Sequence, residues 1–193
     1  MQPQSNQAPP SSLSTRLAGF ATLPYVMLSL LAFLPFLAVN NLFWSPLFIE
    51  RFGYQPLDLA LGLDGVSVQE YLTAYGEEGR SWYLRFQIYD FFLPLFGAIM
   101  FVLWAAWLIT MYWPEQPGKL RFAWLGTLPM FADWAENIGF ITQLMMFPEV
   151  SVDVGNITFL LSQIKITLLS GFGIGLLIAS MALLVVPLSG PEE

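Results

Sequence analysis

Four ionisable residues lie inside long apolar stretches of the chain: Asp90, Asp133, Glu136 and Lys165. A charge at bilayer depth costs roughly 2.5–3.5 kcal/mol on insertion scales, so such residues turn toward a bundle interior and mark a candidate site. In F-A-D-W-A-E-N-I-G-F, Asp133, Glu136 and Asn137 follow at i, i+3 and i+4 and share one helical face. Gln143, seven residues beyond Glu136, extends that stripe. Asp90 is followed by Pro94, which lacks an N–H and frees the Asp90 carbonyl from the helix ladder. Lys165 is the one base among three acids, with Thr158 and Ser162 on its face. The groups are expected to converge, with Lys165 paired to one carboxylate; Arg85, at the mouth of the second span, is the other candidate partner for Asp90. Such a constellation suits holding the polar group of an apolar ligand or moving a proton between carboxyls. Interhelical ion pairs that only fix the bundle's register are the competing reading.

The elements that must position these residues are legible from composition. The chain has 193 residues, 56% hydrophobic and only 11% charged, with a formal net charge of −7. Its mean hydropathy is +0.61. Soluble domains carry about 25% charged residues, and disordered chains need low hydrophobicity, so both classes are excluded. The acidic balance argues against nucleic acid, whose phosphates need Lys and Arg. There is no Cys and no His, which removes Cys/His metal sites, iron–sulfur clusters and the usual nucleophilic triads. No cofactor motif is present, and no metal site is expected. Acid–base chemistry is left to Asp, Glu, Lys and Tyr.

The expected fold is all-α: a four-transmembrane-helix bundle with a partly helical extracytoplasmic loop between helices 1 and 2. About 20 apolar residues cross the hydrocarbon core. Runs that meet this rule are 18–44, about 86–113, about 122–148 and about 154–188, together one domain. Residues 1–17 read as a disordered polar tail, 45–85 as the outer loop and 189–193 as a C-terminal tail. Within the loop, Ser67 to Glu70 fits a capping box starting a short helix that stops at Gly76, with Val68, Leu72 and Tyr75 on one face. Lys119 and Arg121 lie in the short loop between spans two and three, whereas Glu149 and Asp153 lie in the next. By the positive-inside rule both termini are then cytoplasmic, in a bacterial inner membrane. Gly171 and Gly175, with Ala179, give small-residue spacing on the fourth span, which suits close packing within the bundle or an oligomer contact.

Two blocks, G-E-E-G-R-S-W-Y-L-R-F-Q-I-Y-D-F-F-L-P (76–94) and L-P-M-F-A-D-W-A-E-N-I-G-F (128–140), resemble a group of bacterial four-span integral membrane proteins of unknown activity. The resemblance covers about 64–170 and carries over Gly79, Arg80, Tyr83, Asp90, Pro94, Asp133, Glu136 and Asn137 as signature positions. It implies the four-span fold and no activity. A looser likeness, in chemistry only, is to the sterol-isomerase and sigma-2-receptor-like membrane fold, where intramembrane acids hold a cationic or sterol-like species.

Two functions follow as expectations. One is a membrane protein that binds, and if it is an enzyme transforms, a lipid-like or apolar small molecule at Asp90, Asp133, Glu136, Asn137 and Lys165. Arg80, Tyr83, Arg85 and Pro94 support the site. The other is an accessory subunit of a larger membrane complex, with membrane lipid and other subunits as its partners. Ion translocation is weaker, because the halves of the spans away from the outer loop look dry.

Overall fold

Four helical columns run side by side in the computed structural model, which describes residues 12–60 and 62–185. Every regular element among the described residues is helical. The first column is α2 (Leu23–Val39), a π turn at Asn40–Trp44 and α3 (Ser45–Phe52). A 3₁₀ turn (Leu57–Leu59) and α4 (Gly65–Ala74) lead to α5 (Gly76–Asp90), which continues through a bend at Phe91 into α6 (Phe92–Tyr112). The third column is a 3₁₀ segment (Pro117–Thr127) followed by α7 (Leu128–Met146), and the fourth is α8 (Val152–Val185). Three of these helices are long and apolar enough to cross a membrane: Leu23–Phe52, Gly76–Tyr112 and Val152–Val185. The outward faces carry leucine, isoleucine and phenylalanine, as surfaces meeting hydrocarbon do.

The boundaries differ from the hydropathy reading in instructive ways. Polar residues from Ser12 onward form a helix, α1 (Ser12–Phe20), where a disordered tail to residue 17 was expected. Leu17 packs into the core beside Ala21, and that burial orders the segment. Residues 1–11 and the tail at 189–193 lie outside the described residues. The first span begins at Leu23, behind a break that places Pro24 in the first turn, where its missing N–H costs nothing. It runs past Trp44 to Phe52, so 45–52 belong to the column and not to a loop. The 122–148 run is α-helical only from Leu128; its beginning is 3₁₀. The segment 45–85 is mostly helix. Its α4 starts at Gly65, two residues before the expected box, because Asp64 rather than Ser67 is the cap. Asp64 Oδ1 accepts from the Val66 and Ser67 N–H groups and from Ser67 Oγ. Those donors hold the exposed Asp64 carboxyl below the usual carboxylate range.

Two apolar layers fill the bundle. One, at the end capped by α3, α4 and the start of α5, is aromatic: Trp44, Phe48, Tyr75, Tyr83, Phe86, Phe140 and Phe159. The other, toward α1 and the 3₁₀ segment, is built from Met100, Phe101, Val102, Ala105, Ala106 and Leu176. Glycines set the closest helix approaches. A Cβ on Gly65 would meet the backbone of Val152, and one on Gly139 would collide with Thr158, so α4 and α7 can lie hard against α8 only without side chains there. Asn156 Oδ1 adds a hydrogen bond from the Gly65 N–H at 2.8 Å.

Candidate functional site

The i, i+3, i+4 face of α7 turns inward as its spacing requires. Glu136 and Asn137 are fully buried, and Asp133 is 14% exposed. Lys165, at 12% exposure, reaches across from α8 and forms an ion pair with Glu136; Asp133 Oδ2 lies 3.7 Å from Nζ. Ser162, one turn before Lys165, donates from Oγ to Glu136 Oε1. Asp90 joins from the end of α5. Asn137 Nδ2 donates to Asp90 Oδ2 at 3.3 Å and to Asp133 Oδ1 at 3.2 Å, so one amide bridges carboxyls from two helices.

All five expected site residues therefore come together. The supporting ones divide. Tyr83 is fully buried beside the site, and Pro94 lines a cavity next to it. Arg80 donates to the Leu72 carbonyl and lies over the Phe147 ring, which ties α4 to the end of α7. Arg85 is no partner of Asp90: it stacks on Trp82, one turn back on the outer face of α5, with its charge toward solvent. The bend at Phe91 has an identifiable origin. Pro94 withdraws a donor from this turn, and Trp134 Nε1 caps the Phe91 carbonyl at 3.0 Å. Gln143 leaves the polar stripe to clamp the α7–α8 loop, accepting from the Ser151 N–H at 3.0 Å and donating back to its carbonyl.

One acid of the site was missed. Asp58, in the 3₁₀ turn of the expected outer loop, is only 7% exposed. Its Oδ1 accepts from Tyr83 Oη at 3.2 Å and from Gln87 Nε2 at 3.3 Å. Gln87 lies one turn before Asp90 on α5, so Asp58 adjoins the carboxyl cluster from the cap side. Burial, and then the nearby Asp90, push the Asp58 carboxyl well above the usual carboxylate range, against the pull of Lys165. The signal was a lone Asp inside an otherwise apolar run, L-D-L-A-L-G-L at 57–63. The cluster thus holds four carboxyls and one ammonium. No group of acids that could hold a metal ion occurs among the described residues.

On the side away from Asp58 the cluster borders a cavity of about 110 Å³. Asp133 and Lys165 are its charged walls; the rest is Phe33, Leu37, Leu93, Pro94, Gly97, Ala98, Phe101, Pro129, Met130 and Leu169. Ala98 and Met130 also line a larger apolar groove of about 640 Å³, with Leu17, Phe20, Ile99, Trp124 and Phe131. Beyond the cavity, Phe101, Ala105 and Ala106 belong to the second apolar layer, against which Trp104 packs with its Nε1 donating to Ser180 Oγ at 2.9 Å. Gly171 and Gly175 have nothing within 4 Å of where a Cβ would stand, so among the described residues no helix packs on them. No family model matches the chain, and no curated protein or solved structure is similar to it.

Proposed function

We propose that this chain is a four-span integral membrane protein that binds an apolar molecule carrying one polar group. Column length supports the fourth span. At 1.5 Å per residue, the three apolar helices of 30, 37 and 34 residues run about 45–55 Å. The 3₁₀ segment and α7, with 11 and 19 residues, together reach about 50 Å. The acids on α7 lower its hydropathy, but they face the interior and not lipid. With Lys119 and Arg121 on the inner side, the cap faces outward and both termini are cytoplasmic, as in a bacterial inner membrane.

The observation that carries the ligand reading is the cavity. It places one carboxylate and one ammonium on otherwise apolar walls, which is how sites orient a mostly apolar ligand by a few polar contacts. It holds several waters or a small headgroup. The groove behind Ala98 and Met130 offers apolar surface for the remainder of the molecule. A conducting pore is disfavoured by the apolar layer across the inner half. Gly97 supplies the test, because its Cβ position meets only Phe33, at 3.4 Å and beyond, beside the cavity. Native mass spectrometry of protein extracted gently from its membrane should show a bound lipid-like adduct. Gly97→Leu and Asp133→Asn should remove it while the protein remains folded. An adduct retained in both folded variants would sink the reading.

The second reading is an accessory subunit of a larger complex, with the cluster purely structural. The open Gly171–Gly175 face favours it, since small residues that pack on nothing in their own chain leave room for a neighbouring helix. It would show in the same experiment as a defined protein partner that survives Gly97→Leu.

A further inference from the structure

The charged cluster divides into two unlike halves. Lys165 is committed to Glu136 and Asp133. Among the described residues, Asp58 and Asp90 have no cation at ion-pair distance, and neutral amides meet them instead. If all four carboxyls were ionised, three negative charges would stand in the interior against no further base. A buried charge without compensation is among the costliest arrangements a protein can hold.

The orphan atoms point the same way. Gln87 Oε1 and Asn137 Oδ1 are fully buried and have no donor among the described residues. The nitrogens of these same amides serve Asp58, Asp90 and Asp133. Turning either amide over would only set an oxygen against a carboxylate and strand the N–H groups. What this half of the cluster lacks is donors, and a carboxylic acid O–H is the donor that its own acids can supply. Asp58 faces Tyr83 and Gln87 of α5, Tyr75 before it, Asp90, Glu136 of α7 and Lys165 of α8. Asp90 faces Asn137 and Asp133 of α7, and Lys165. The charges on α3, Glu50 and Arg51, are on its exposed side.

We infer that Asp58 and Asp90, with the Gln87 amide donating to the first and the Asn137 amide to the second, form a proton-binding site beside the Lys165 ion pair. Each proton taken up comes from solvent water and converts one carboxylate to a carboxylic acid, so the uncompensated charge falls by one. Burial pushes the Asp58 carboxyl above the usual carboxylate range. The site rests on charge count and orphan acceptors alone, so it stands or falls independently of any ligand in the cavity.

Infrared difference titration of the full chain in lipid tests it. At neutral pH the native protein should show a protonated-carboxyl C=O band that shifts in D₂O and disappears as pH is raised. Asp58→Asn and Asp90→Asn should each reduce the band, and Asp64→Asn, at the exposed cap of α4, should leave it intact. Absence of the band at neutral pH overturns the inference. So does a band that persists at full strength in a folded Asp58→Asn or Asp90→Asn protein, or one lost only in Asp133→Asn. Should one variant fail to fold, the native titration and the other variant still decide.

Discussion

Removing the ammonium from the cluster should be far more damaging than removing a whole ion pair. In Lys165→Met, the fully buried Glu136 loses its counter-ion and must either hold an unpaired charge or take up a proton, with Ser162 still donating to it. At the 3.7 Å separation of Lys165 and Asp133, an effective dielectric of 20 gives a gross attraction of about 4 kcal/mol for that pair alone. Desolvation of the ions cancels much of this gain, but not when one partner is deleted, and breaking a buried pair costs about 3–5 kcal/mol. Adding Glu136→Gln removes the stranded charge and keeps an amide oxygen for Ser162, so the double variant should recover much of the loss. The expected coupling is about 2–3 kcal/mol, at the upper end for directly interacting residues. Equilibrium unfolding of the two single variants, the double and the native chain in mixed micelles measures it. Arg51 and Glu78 supply the control, being ion-paired with side chains 48% and 59% exposed. Their coupling should stay below about 1 kcal/mol. A Lys165–Glu136 coupling no larger than that control would refute the claim that Lys165 organises the site.

The remaining predictions concern packing and pH. Gly139→Ala and Gly65→Ala drive a Cβ into Thr158 and into the Val152 backbone, and overpacking of this kind should cost about 1–3 kcal/mol in the same unfolding assay. Gly171→Ala and Gly175→Ala meet nothing among the described residues, so equal destabilisation of the isolated protein would contradict the packing described. Asp58 has a folded-state pKa above its unfolded value of about 3.9, so the folded chain binds more protons. Its contribution is full below that unfolded value and is lost as pH rises through the folded one. Stability of the native chain should therefore fall from about pH 4 upward on account of this group, and Asp58→Asn should flatten that slope. An unchanged slope in Asp58→Asn would assign the pH dependence elsewhere.

Much of the chemistry is written locally. The cost of an ion at bilayer depth attaches to each residue separately, so Asp90, Asp133, Glu136 and Lys165 stand out before any packing is known. Helical spacing then places Glu136 and Asn137 on one face, and both are buried as that face demands. Of the four apolar runs read as spans, three fall on helices long and apolar enough to cross a membrane. What sequence reasoning missed depends on how helices rotate and which distant segments meet. Lys165 chooses Glu136, and Arg85 stacks on Trp82 in place of Asp90, because the rotation of α5 carries Arg85 outward. The glycine roles are set the same way: Gly139 and Gly65 face a neighbouring backbone or side chain at contact distance, while Gly171 and Gly175, equally small, face none. Asp58 is the sharpest case. Its neighbours in sequence are leucines, and its polar partners lie 25 and 29 residues away on α5. No local pattern encodes that meeting; only the fold of the cap over the bundle brings a loop carboxyl down onto the buried acids of the bundle.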